Sequence, residues 1–137
     1  QCRKRSGMHK MKKWCLAALL ASSLLPAQAA DQDYKLVTVA GYLNFYLLNL
    51  NACEDFHPAV RQSAYEAEKL LYPWLDRLDS KTKSSIDASV ISNVVKKRRD
   101  ALNSQINDND FTVEHCQAVI KLLTDGGLDK TLLKSLD

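Results

Sequence analysis

The chain has 137 residues, of which 46% are hydrophobic and 26% charged, and its formal net charge at pH 7 is +3. This length suits one domain with one hydrophobic core. The basic excess belongs to residues 1–29, which hold six of the 19 Lys and Arg side chains and none of the 16 Asp and Glu side chains. Residues 30–137 therefore have a net charge of about −3, which removes the usual electrostatic case for nucleic-acid binding.

The amino-terminal segment has the parts of a secretory signal peptide. A basic stretch over residues 8–13 precedes an apolar run over residues 14–25, which is too short to cross the roughly 30 Å hydrocarbon core of a bilayer. Pro26 ends the run, and Ala27 and Ala29 are the small residues that signal peptidase accepts. We expect residues 1–29 to be removed, with residues 1–7 as an extended or upstream part. The exported domain would span residues 30–137, periplasmic or secreted, with no membrane span; the alternative is an uncleaved anchor.

Two of the four cysteines, Cys53 and Cys116, lie in the expected exported domain. An even count in an exported chain favours a disulfide, and two cysteines allow one pairing. A zinc site that adds His57 and His115 is the alternative. We consider it weaker, because His115 and Cys116 are neighbours on a predicted helix and point about 100° apart. We therefore expect a disulfide and no metal.

The first predicted helix, over residues 31–51, has apolar side chains on two sides. The expected core face comprises Leu36, Val39, Ala40, Leu43, Leu47 and Leu50. The other side presents Tyr42, Phe45 and Leu48 at three-residue steps. Because both sides cannot face one core, we expect Tyr42, Phe45 and Leu48 to contact a protein partner or a second copy of the chain. Packing of a central helix among its neighbours is the alternative.

Helical patterns continue through the rest of the chain, with no predicted strand. Residues 53–57 are expected to form a connector, and Pro58 suits the first turn of a second helix. Pro73 is expected to make that helix kink or restart at Tyr72. A third helix is predicted over residues 85–106. Its expected inner face comprises Ile86, Val90, Val94, Ala101 and Leu102.

Capping residues mark the last two helices. Thr112 is expected to cap a fourth helix that ends at Gly126 and Gly127, and Asp129 is expected to cap a short fifth one. The predicted fold is an all-α, single-domain bundle of four to five helices with one disulfide.

The sequence contains no recognisable catalytic motif. Glu66 and Glu68 are two residues apart and do not share a helix face, and Asp76 and Asp79 lie near a predicted helix end. The chain has neither a nucleophile elbow nor a Cys-x-x-Cys motif. The basic run over residues 96–99 is expected to be a solvated helix face, because four successive residues fan around the axis. We therefore expect a protein without catalytic residues or a cofactor.

Two resemblances concern function. Cys53, Glu54, Asp55 and Phe56, in an exported helical chain with one later cysteine, resemble the cysteine segment of the small periplasmic acid-stress chaperones, although the spacing to Cys116 is longer here and the lysine-rich ending is missing. In general plan, the chain is similar to the small, helical, disulfide-bonded immunity proteins of secreted bacterial toxins. The expected function is a non-enzymatic protein-binding, inhibitor or immunity-type module. The alternatives are a chaperone that loosens in acid and, last, an enzyme.

Overall fold

The computed structural model describes the backbone from residue 9 and the side chains from residue 31. The chain forms two compact units, residues 1–34 and residues 35–137. Six α-helices and two short 3-10 helices are the only regular elements in the described residues, which confirms the predicted all-α class. The side chains of the predicted signal peptide lie outside the described part.

The first helix, α1, spans His9–Phe56 and provides the centre of the core. Its part Asp31–Phe56 is long and apolar enough to cross a membrane, but half of its apolar window is buried in the protein, which is also typical of a core helix. The predicted core face is buried except for Leu47, which is half-buried. Side chains from the later helices complete the core, including Ala64, Ala67, Leu71, Leu78, Cys116, Val119, Leu123, Leu133 and Leu136.

The predicted connector over residues 53–57 is wrong except at its end, because α1 continues to Phe56. Two contacts satisfy the last carbonyls of this helix. The His57 N–H donates to the Cys53 carbonyl at 3.0 Å, and the Arg61 Nε–H donates to the Glu54 carbonyl at 2.8 Å. The next residue, His57, leaves the helical conformation, and its φ of −129° and ψ of 80° suit a residue before proline.

Three short segments follow α1. A 3-10 turn over Pro58–Val60 leads into α2, Arg61–Lys69, and α3 follows over Tyr72–Thr82 with Pro73 in its first turn. The predicted break is therefore confirmed: α2 ends at Lys69, and a new helix starts at Tyr72. A proline can begin a helix but not continue one, so α3 starts anew at this point.

The last three helices are α4, Ala88–Asn107, α5, Val113–Thr124, and α6, Lys130–Leu133, followed by a 3-10 turn over Lys134–Leu136. The Oγ1 of Thr112 and the Oδ1 of Asp129 accept hydrogen bonds from main-chain N–H groups, which confirms both predicted caps. The third predicted helix starts later than expected, because Asp87 caps α4 by accepting a hydrogen bond from the Ser89 N–H.

The predicted inner face of α4 is mostly wrong. Of its five residues only Leu102 is buried, while Val90 is 41% exposed and Ala101 is exposed. Gly41 of α1 lies close to α4, and an added Cβ there would lie 3.1 Å from Val94 Cγ1. Most of the other apolar side chains of α4 remain partly or fully in contact with solvent.

Candidate functional site

The predicted binding residues of α1 are covered to different degrees. Tyr42 and Leu48 are half-buried and pack against the core, and the Tyr42 hydroxyl oxygen accepts a hydrogen bond from the Asp129 N–H at 2.7 Å. Phe45 is 36% exposed. The rings of Tyr42 and Phe45 both pack edge-on against Tyr46, with centroids 5.3 and 5.1 Å away. Of the three predicted residues, Phe45 is thus the one with substantial exposed surface.

Arg98 of α4 connects Phe45 with the basic run. Its guanidinium carbon lies 6.0 Å from the centroid of the Phe45 ring. Gly41 lies beside this contact, because a Cβ there would lie 3.4 Å from Arg98 Nη2. Lys96 pairs with Asp100 at 2.8 Å, whereas Lys97, Arg98 and Arg99 have no ion-pair partner among the described residues. We call Phe45 and Arg98 the Phe45 surface; the sequence did not connect them, because they lie on different helices.

The disulfide joins the end of α1 to the first turn of α5. Cys53 and Cys116 are bonded, with Cα atoms 5.8 Å apart, as predicted. Because both sulfur atoms take part in the disulfide, neither cysteine is available as a thiolate ligand for the alternative zinc site. No group of three or more potential metal ligands is found within the described residues.

The two histidines near the disulfide have structural contacts. His57 Nε2 lies 2.9 Å from the Phe111 carbonyl oxygen, and the rings of His57 and His115 both lie against the Phe111 ring. His115 Nε2 lies 2.7 Å from Oδ1 of Asn49, which is 2% exposed. Because Asn49 Nδ2 donates to the Phe45 carbonyl at 2.8 Å, Asn49 Oδ1 is the acceptor and His115 the donor. Burial lowers the pKa of His115.

A buried pair of carboxyl groups lies where α1 meets α2. Glu54 is 9% exposed, and the buried oxygens Glu54 Oε2 and Glu68 Oε1 have no donor among the described groups if both carboxyls are ionised. Burial, followed by the hydrogen bond with Glu68 and the charges of Glu68 and Asp55, raises the pKa of Glu54 to about 7. The Tyr72 hydroxyl donates to Glu68 Oε2 at 2.5 Å. One shared proton therefore satisfies the pair.

The carboxyl pair is not among the pairs that the sequence suggested. Glu66 is exposed and lies 3.4 Å from Lys69, and Asp76 and Asp79 are also exposed. Glu68 meets Glu54, from another helix, and only the fold reveals that neighbour. Glu54 is buried, Glu68 is half-buried and hydrogen-bonded by Tyr72, and this arrangement favours a structural role for the pair over acid–base chemistry.

An apolar cleft of about 460 Å³ lies between the α2–α3 junction, the end of α5 and α6. Its apolar lining consists of Leu70, Trp74, Leu123, Leu128 and Leu133, and its polar lining includes Lys130, Lys134 and Asp137. A second, more polar cavity of about 650 Å³ lies between the end of α3 and the start of α4. The sequence analysis identified neither, because each is formed by elements distant in the chain.

No protein-family model, curated protein or solved structure matches this chain. The class that the structure defines is a small all-α domain with one disulfide. Its function must therefore be argued from its surfaces.

Proposed function

We propose that this chain is an exported, non-enzymatic protein-binding module, and that its partner contacts the Phe45 surface. The observation that carries the proposal is the position of Arg98 beside an exposed aromatic ring, at 6.0 Å from its centroid. Aromatic and arginine side chains are the two types that most often dominate the energy of protein interfaces. Here they lie side by side, on two helices of one domain.

The charge of the Phe45 surface indicates the chemistry of the partner. Lys97, Arg98 and Arg99 are exposed on α4, while residues 30–137 as a whole are mildly acidic. The positive charge of Arg98 at Phe45, with exposed cations before and after it on α4, would orient an approaching acidic partner and raise its association rate. The partner we propose is a protein with an acidic surface around an apolar centre that receives Phe45.

The contacts of the titratable side chains favour binding over catalysis. His57 and His115 each have Nε2 engaged by an oxygen of the same domain, and Glu54 is buried against Glu68 with a raised pKa. An acid–base catalyst needs a group that reaches the substrate. These groups instead connect helices to one another.

Export is supported by two features. Cys53 and Cys116 form a disulfide, which persists in oxidising compartments. The sequence of residues 8–29 matches the pattern of a signal peptide. Both features fit a protein that meets its partner outside the cytoplasm.

Capture from the extract of the native cell envelope tests the proposal. We expect Phe45→Ala and Arg98→Ala each to weaken the complex at least about tenfold, as expected for the loss of a central interface contact. Tyr65→Ala is the matched control, because Tyr65 is 48% exposed on α2 and lies outside the Phe45 surface. Circular dichroism would verify that all variants keep their helices. Equal binding by Phe45→Ala and Tyr65→Ala proteins, or no captured acidic protein, would contradict the proposal.

A further inference from the structure

The apolar cleft has the size and lining of a small-molecule site. Its volume of about 460 Å³ lies within the range of roughly 300 to 1,000 Å³ typical of such sites. Leu70 is 45% exposed, and Trp74 is half-buried. Two large apolar side chains on one kinked helical segment thus remain in contact with solvent at the cleft, although the core of the domain lies directly below them.

Positive charge surrounds this apolar lining. Lys130 and Lys134 line the cleft and have no ion-pair partner among the described residues. The Arg77 guanidinium carbon lies 4.7 Å from the centroid of the Trp74 ring. Asp137 is the one acidic side chain in the lining, and its main-chain oxygen accepts a hydrogen bond from Lys81 Nζ at 2.6 Å. Cations therefore outnumber anions at the edge of the cleft.

We propose that the cleft binds a single-chain anionic amphiphile, namely an alkyl carboxylate of the free fatty-acid class. The alkyl chain would lie against Leu70, Trp74 and Leu128, and the carboxylate would lie between Lys130 and Lys134. Charge complementarity selects this occupant, because an apolar lining alone would accept a neutral chain equally well. The site is separate from the Phe45 surface, so this inference does not depend on the proposed protein partner.

Trp74 provides the signal for a direct test. The chain has two tryptophans, so Trp14→Phe leaves Trp74 as the single emitter. Octanoate, decanoate and dodecanoate, each below its micelle concentration, should change the Trp74 emission in a saturable manner. Affinity should rise about fourfold per added CH₂ group, the change expected for burying a methylene group. Dodecanol has the same chain without the charge, and we expect it to bind more weakly than dodecanoate.

Charge variants then separate the proposed site from non-specific apolar binding. Replacement of both lysines, Lys130→Gln with Lys134→Gln, should weaken dodecanoate binding about fivefold or more, since each contact contributes like a partly exposed ion pair. The corresponding arginine variants should restore it, and Lys97→Gln on α4 should have no effect. The proposal is overturned if dodecanol binds as tightly as dodecanoate, if the double glutamine variant binds like the parent, if only anionic vesicles bind, or if calorimetry detects no binding of any chain.

Discussion

The Glu54/Glu68 pair shows how one shared proton can couple folding to pH. The native pKa of Glu54 is about 7, above its ordinary value of 4.5. A carboxyl group whose pKa is raised in the native state binds its proton more tightly in the folded state than in the unfolded state. Its contribution to stability is therefore complete below about pH 4.5 and is lost as the pH rises through about 7.

We predict that Glu54→Gln removes this pH dependence. The glutamine amide can donate to Glu68 Oε1 at every pH, so the variant should be more stable than the parent above pH 7, by an amount of order 1–3 kcal/mol. Chemical denaturation between pH 4.5 and pH 8.5 measures the effect. Glu66→Gln is the control, because Glu66 is exposed on α2, the helix that carries Glu68. The same pH slope in parent and Glu54→Gln proteins would exclude a shared proton.

Neighbouring charged and titratable groups also contribute to the pH dependence of stability. Asp55 and Glu68 raise the pKa of Glu54 by their charges, and Tyr72 donates to Glu68. His115 acts in the opposite direction, because its lowered pKa means that its contribution to stability is lost as the pH falls through a value below 6.5. The Glu54/Glu68 pair is stabilised by acid, whereas a chaperone activated by loosening would require carboxyl groups that destabilise the fold when protonated.

Asn49 provides a second prediction at the residue scale. Its amide bridges the Phe45 carbonyl of α1 and His115 of α5, and it is 2% exposed. Asn49→Ala leaves the His115 Nε2–H without its acceptor in a half-buried position, so we expect a loss of about 1–3 kcal/mol in unfolding free energy. Asn44→Ala is the matched control. Asn44 makes the same bond to the carbonyl four residues earlier, at 2.9 Å, but the structure gives it no partner on another helix. Similar losses in the two variants would show that the bridge to α5 contributes nothing.

At the scale of the helices, the features that depend on nearby residues could be predicted from the sequence. The buried side of α1 follows from its helical spacing, and the caps at Thr112 and Asp129 follow from residue type. The sequence did not reveal which face of α4 is buried, because that burial depends on where a neighbouring helix approaches. The candidate sites depend on the same long-range information: Arg98 lies beside Phe45, and Lys130 lies near Trp74, only in the folded domain.

The approach of α4 to α1 depends on Gly41, which gives a prediction at the element scale. A Cβ at Gly41 would lie 3.1 Å from Val94 Cγ1, a tight contact, and a larger side chain would overlap it. We expect Gly41→Leu to displace α4 and to cost about 1–3 kcal/mol, the usual range for overpacking. The double variant with Val94→Ala should recover part of the loss, since it removes the opposing methyl groups. Thermal and chemical denaturation measure both. Full stability of the Gly41→Leu protein would mean that the two helices do not need this close contact.

At the scale of the whole molecule, the disulfide stabilises the folded state by closing a long loop of the chain. Cys53 and Cys116 are 63 residues apart, and the closed loop contains α2, α3 and α4. By the chain-entropy estimate, a loop of this size stabilises the folded state by roughly 4 kcal/mol, a large share of the 5–15 kcal/mol typical of a domain. The bond also attaches the central helix to α5, which carries part of the apolar cleft. A small domain with this bond suits an oxidising compartment.

The amino-terminal segment determines which form of the protein would be isolated from the cell envelope. If residues 8–29 work as a signal peptide, the exported protein begins at Ala30, because Ala27 and Ala29 precede the bond that signal peptidase would cut. Intact mass spectrometry of protein isolated from the envelope measures the first residue. Reduction should then add two hydrogens, for the Cys53 and Cys116 thiols. The control is Ala29→Pro, which blocks cleavage after residue 29 and should leave the longer chain. An isolated protein that still contains residues 14–25 would instead identify an uncleaved anchor, and the lysines of residues 8–13 would then offset part or all of the acidic charge of residues 30–137.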